Sequence, residues 1–114
     1  MTAPTTRPTL KLLLIADSDS QLLACEALCS APTTLDVHWT INVIPRDGTP
    51  RALLQRLAQR ASLRHQGLAR LLRDRRLQNY DAIGVFLTGS KLNDIRLALQ
   101  REQRRPLLFC GFNG

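Results

Sequence analysis

The sequence predicts an α/β fold: a three-layer, Rossmann- or flavodoxin-like domain on a four-stranded parallel sheet of order 2-1-3-4. Three observations carry this expectation. Two apolar runs, Leu12-Leu13-Leu14-Ile15-Ala16 and Ala82-Ile83-Gly84-Val85-Phe86-Leu87, lack polar alternation, as strands covered on both faces do. Each is followed by a polar turn and an amphipathic segment. The succession of elements, β-α-β-α-β-α-β, has helices long enough to be right-handed crossovers between parallel strands.

After the first strand, Asp17-Ser18-Asp19-Ser20 forms the turn. Asp19 or Ser20 can accept a hydrogen bond from the free amides of the next helix, and acidic residues there complement its positive end. Leu22, Leu23, Cys25, Leu28 and Cys29 recur at helical spacing over Gln21 to Ser30, and Pro32 stops the helix. From Asp36 to Pro45, Val37, Trp39, Ile41 and Val43 alternate with His38, Thr40 and Asn42, which predicts an edge strand with one more exposed face and Trp39 as a packing residue.

Arg46-Asp47-Gly48-Thr49-Pro50 is a turn, with Thr49 as N-cap and Pro50 as first helical residue. The helix predicted from there to about Leu77 has Leu53, Leu54, Leu57, Ala58, Ala61, Leu68, Leu71 and Leu72 on one side and Arg56, Arg60 and Arg70 opposite. Unbroken, it would point Arg64 into the apolar face, so a bend or break is expected near Ser62 to Gly67. Asn79-Tyr80-Asp81 closes this region before the third strand. A helix is expected from about Ser90 to Gln103 and a last buried strand over Leu107-Leu108-Phe109-Cys110.

A chain of 114 residues with 44% hydrophobic content and a mean hydropathy of -0.14 suits one domain with a real core. Residues 1–9 read as a flexible lead-in and 10–114 as the domain. No apolar run approaches the ~20 residues of a bilayer span. The start has no apolar core of a secretory signal, and the cysteines, Cys25, Cys29 and Cys110, are odd in number, which argues for free thiols in a reducing cytoplasm. Cys25 and Cys29 read as small core residues, because neither histidine completes a metal-site spacing with them. No cofactor or metal is expected. The net charge of +7 has one source: nine arginines against Asp47 and Asp74 between Arg46 and Arg76.

In open parallel sheets, ligands bind beyond the carboxyl ends of the strands, where the chain reverses across the sheet. That rule predicts a crevice between the loop Asp17 to Ser20 and the loop Thr88 to Lys91, flanked by Arg46 to Thr49 and Gly111 to Gly114. A response-regulator receiver would need an aspartate at the end of the third strand, where this chain has Leu87-Thr88. A haloacid-dehalogenase-like phosphatase would use Asp17 as nucleophile, Asp19 as acid/base, Thr88 for the phosphate and Lys91 to steady charge, with Mg²⁺ held by carboxylates. Its later acidic motif is absent from the sequence. Neither G-x-G-x-x-G nor a Walker A motif occurs.

Three pieces, Leu14-Ile15-Ala16-Asp17-Ser18-Asp19-Ser20, Asp81 through Thr88-Gly89-Ser90, and Arg105-Pro106 through Gly111-Phe112-Asn113-Gly114, resemble the amino-terminal part of a bacterial glycosyltransferase family. That family is similar to the GT-B architecture, two Rossmann-like domains facing each other across a cleft. Its last loop carries Pro-Gly where this chain has Asn113-Gly114. The resemblance implies that the chain is the amino-terminal, acceptor-side half of a longer two-domain protein. The nucleotide-sugar donor and a glycan or lipid-linked acceptor would meet between the halves, and this half alone would be inactive. On that reading Asp17 or Asp19 is the general base on an acceptor hydroxyl. Ser18, Ser20, Thr88 and Ser90 would hold hydroxyls or phosphate oxygens, while Gly89, Gly111, Asn113 and Gly114 would let the ligand approach the backbone. The alternative role for Asp17 and Asp19 is a helix cap with a loop hydrogen bond.

A different class of function is a polyanion-binding module that uses the arginine-rich segment through Arg56, Arg60 and Arg70. That segment has no aromatic residue before Tyr80 and no recognition motif, so no specific nucleic acid is expected. A solvated face with arginine stems lying along apolar surface accounts for the same residues.

Overall fold

The computed structural model describes residues 9–73, 75–86, 90–101 and 106–110. Its elements run β1 (Leu10–Ala16), α1 (Asp19–Ser30), β2 (Val37–Val43), α2 (Arg51–Ala58), β3 (Ser62–Arg64), α3 (Leu68–Leu72), a 3-10 segment (Arg75–Asn79), β4 (Ala82–Val85), α4 (Ser90–Gln100) and β5 (Leu107–Cys110). The five strands among the described residues form one sheet of order β3-β2-β1-β4-β5, and every pairing is parallel.

The predicted parallel α/β class is observed, but four strands in the order 2-1-3-4 are not. The additional strand lies in the segment expected to bend. There an extended backbone solves the Arg64 problem, because period-2 alternation sends Leu63 toward the core and Arg64 to the opposite face. The long helix is accordingly replaced by α2, then β3 with its flanking turns, then α3 and the 3-10 segment. β2 is not an edge strand, since Thr40, Ile41 and Asn42 pair with Ser62, Leu63 and Arg64. Its polar alternation marks a polar patch on one sheet face rather than a solvated edge, and Thr40 and Asn42 are buried.

Alternation along β1 builds two cores. Leu13 and Ile15, with Ile83 and Val85 of β4, face Leu71 of α3, Leu77 of the 3-10 segment, and Ile95 and Leu99 of α4. Leu14 and Ala16, with Ile41 and Val43 of β2, face Leu22 and Cys25 of α1 and Leu53 and Leu57 of α2. Helices therefore cover both faces, as unbroken apolar runs require. Asp81 ties the strand starts together. Its backbone N–H donates to the Lys11 carbonyl at 2.8 Å, its Oδ2 accepts from the Lys11 N–H at 2.8 Å, and its carbonyl accepts from the Leu107 N–H at 3.1 Å.

Capping also differs from expectation. Ser18, not Asp19 or Ser20, is the N-cap of α1, accepting the Gln21 N–H at 3.3 Å, and Asp19 occupies the first turn. α2 starts at Arg51 with Pro50 rather than Thr49 at the cap position. The preceding turn uses Gly48 at φ 88°, a conformation that disfavours a side chain.

Cys25 is buried and Cys29 half-buried on one side of α1. Burial pushes the Cys25 thiol from its ordinary 9.0 up to about 12, with Cys29 nearby adding to the shift. Because the folded pKa is raised, the stability this thiol contributes is complete below about pH 9 and is lost as pH rises from 9 toward 12. Wild-type protein should lose stability over that range more steeply than Cys25→Ala, by up to about 1.4 kcal/mol per pH unit. Thermal melts of both proteins at stepped alkaline pH check this, and identical profiles would contradict it.

Candidate functional site

Parallel pairing brings the carboxyl ends of the strands to one rim. β1 and β4 are neighbours there although they are not consecutive in sequence. The chain runs from β1 outward through β2 and β3, then returns to the other side of β1 as β4, so the crevice rule points to the junction of β1 and β4. The ladder continues just past the strand ends, with the Phe86 N–H on the Ile15 carbonyl at 3.1 Å and the Ile44 N–H on the Ala16 carbonyl at 2.9 Å.

Asp17 is the first residue beyond β1. Its N–H donates to Gln21 Oε1 at 2.7 Å, while the Gln21 N–H donates to Ser18 Oγ. This reciprocal pattern is a one-residue variant of the capping box, in which Gln21 reaches back to the residue before the cap. It leaves the Asp17 carboxylate turned toward the start of α4, where Lys91 Nζ donates to its Oδ2 at 2.5 Å. The Asp17 side chain is 20% exposed and that of Lys91 50%. Asp19, two residues further, forms an ion pair with Arg46 beyond β2. The two carboxylates thus diverge, Asp17 toward β4 and Asp19 toward β2, each balanced by a cation.

Of the residues predicted for the site, Asp17, Ser18, Asp19 and Ser20 gather at the end of β1, and Ser90 begins α4 beside Lys91. Ser18 Oγ and Ser20 Oγ lie 3.3 Å apart. Thr88, Gly89, Gly111, Asn113 and Gly114 lie outside the described residues. Gln21 is absent from the residues predicted for the site, and Arg46 is expected there only as part of a flanking loop, not as the partner of Asp19. The S-x-x-Q spacing of Ser18 and Gln21 was a usable signal for the first. The Arg46–Asp19 pair joins the loop after β2 to the first turn of α1, and no local pattern announces it.

The arginines proposed as a surface are divided. α2 and α3 pack on opposite sheet faces, which separates Arg56 and Arg60 from Arg70. Arg56 makes a two-pronged bond to Glu26 of α1, Nε to Oε2 and Nη2 to Oε1, both at 2.9 Å. The Arg56 guanidinium holds the Glu26 carboxyl below the usual carboxylate range.

No protein-family model and no curated protein matches the chain. Among the described residues no helix is long and apolar enough to cross a membrane.

Proposed function

We propose that this domain is the acceptor-side half of a GT-B-type glycosyltransferase, passing a sugar from a nucleotide-sugar donor to a hydroxyl of a glycan or lipid-linked acceptor. The observation that carries the reading is the Asp17–Lys91 pair at the β1–β4 junction. It holds a carboxylate in one orientation at the rim where ligands of parallel sheets bind. With Oδ2 anchored by Lys91, the other carboxylate oxygen of Asp17 is the group to take the acceptor proton as the sugar–oxygen bond forms. Asp19 is the weaker candidate for base, because its partner Arg46 draws it away from β4. A Rossmann-like sheet with helices on both faces is also the unit from which such enzymes are built.

The same pair favours one other reading. A lysine on an aspartate nucleophile is what a haloacid-dehalogenase-like phosphatase uses. Such a phosphatase needs Mg²⁺ held by carboxylates, and among the described residues no three His, Cys, Asp or Glu side chains gather to hold one. No step is therefore derived through a metal. Incubation of the full-length two-domain enzyme with UDP-glucose or GDP-mannose and short glycan acceptors separates the two. Acceptor-dependent release of nucleoside diphosphate supports transfer, whereas turnover of p-nitrophenyl phosphate with Mg²⁺ in its place would move Asp17 to the phosphatase role.

A further inference from the structure

α1 and α2 pack beside each other on the sheet face that carries Leu14 and Ile41, and a trough of about 380 Å³ lies between them. Leu23, Ala27 and Ser30, four and three residues apart, share one side of α1 and form one wall. Arg56 near the end of α2, with Gln59 and Arg60 just after it, forms the other. Glu26 joins the walls by taking both bonds of the Arg56 guanidinium.

Two features set this trough apart from an ordinary solvated boundary between helices. Leu23 is 49% exposed on the outer side of α1, where a surface helix is normally polar. The charges are also uneven. Arg56 is neutralised by Glu26, whereas Arg60 forms no ion pair among the described residues. Arg60 still lies close enough to act on the trough, since after Arg56 it helps to hold the Glu26 carboxyl low. The result is a shallow apolar wall facing one uncompensated guanidinium.

We propose that this trough docks an acidic amphipathic helix of a partner protein, with an apolar side chain against Leu23 and Ala27 and a carboxylate on Arg60. Charge complementarity selects that occupant. One carboxylate answers one guanidinium in a two-pronged bond, and Glu26, already bonded to Arg56, opposes it less than a free carboxylate would. A nucleic acid needs a row of cations, and Arg70 lies on the opposite sheet face. A second copy would bring one chain of net charge +7 against another. Small side chains at Ala27 and Ser30 leave room for the ridge of an incoming helix. The trough shares no residue with the Asp17–Lys91 rim, so it does not depend on the reading given for that rim.

The probe is a capped peptide of about 15 residues, long enough to hold a helix, with leucines and glutamates on one face and alanine elsewhere. Its counterpart carries glutamine for every glutamate. Backbone amide shifts during titration should saturate at Leu23, Ala27, Ser30 and Gln59 with the glutamate peptide and show weaker binding with the glutamine one. Arg60→Gln should weaken the glutamate peptide about threefold, what an exposed ion pair contributes. Leu23→Ala should weaken both peptides about fivefold by removing half-exposed apolar surface. Both positions are exposed, so the variants should fold, and Arg70→Gln should leave affinity unchanged. Equal binding of the two peptides, equal losses in Arg60→Gln and Arg70→Gln, or no saturable shift would overturn the proposal. Trough shifts that grow as the protein alone is concentrated, with a dimer in sedimentation, would overturn it too and give the face to a second copy.

Discussion

Leu14→Ala is expected to lower stability by about 3–4 kcal/mol, because a fully buried leucine is removed from the middle of the sheet. Leu14 stands in register with Ile41 on one side and Gly84 on the other, and Gly84 in turn with Phe109. A Cβ on Gly84 would lie 2.5 and 2.6 Å from two ring carbons of Phe109 and 2.7 Å from Leu14 Cδ2. Gly84→Ala should therefore cost about 1–3 kcal/mol by overpacking. The two changes are coupled, since alanine at 14 vacates part of the space that a methyl at 84 needs. Phe109 still blocks the rest. The double variant should cost about 1 kcal/mol less than the sum of the single ones. Urea unfolding of the four proteins measures this, with midpoint shifts at constant slope. Strict additivity would mean that Leu14 and Gly84 do not touch.

The same strands show what the sequence made legible. β1 and β4 are covered on both faces, so nearly every residue in them had to be apolar, and an uninterrupted run states that directly. The alternation in β2 reads as exposure of one face, whereas Thr40 and Asn42 are polar and buried together. β3 has three residues, too few for any periodicity, and sits among Leu, Ala, Gln and Arg, which favour helix. Arg64, a charge that cannot continue on the apolar side, and the helix-weakening Gly67 mark the place. The tertiary pairing with β2 then overrode the helical preference of the surrounding segment.

The larger expected effect on function belongs to Asp17. If it is the general base, Asp17→Asn removes the proton acceptor while keeping the shape of the side chain, and kcat/KM for sugar transfer by the full-length two-domain enzyme should fall at least about 100-fold. Stability should change by less than ~1 kcal/mol, since the pair with Lys91 is partly exposed and the cap belongs to Ser18. Lys91→Gln should leave the carboxylate in place but less fixed, with a smaller loss of rate than Asp17→Asn. Transfer rates and thermal melts on the same preparations read both quantities. A stability loss matching the activity loss would assign Asp17 to holding the turn instead.

The rim was readable in part, for reasons that differ by residue. The acidic and hydroxyl turn after β1 is contiguous in sequence, and the crevice rule needs only strand order near β1. Which carboxylate faces the crevice was not readable. That depends on Gln21 bonding the Asp17 backbone, on Lys91 arriving from the far side of the chain, and on Arg46 drawing Asp19 toward β2.

Ligands are expected to meet this domain where β1 and β4 end together. Backbone amide shifts recorded during titration with maltotriose and with N,N′,N″-triacetylchitotriose test it most directly. Saturable changes centred on Asp17, Ser18, Ser90 and Lys91, and reduced in Asp17→Asn, are the predicted result. Changes confined to the amino-terminal ends of the strands, or no saturable change at the rim, would contradict it.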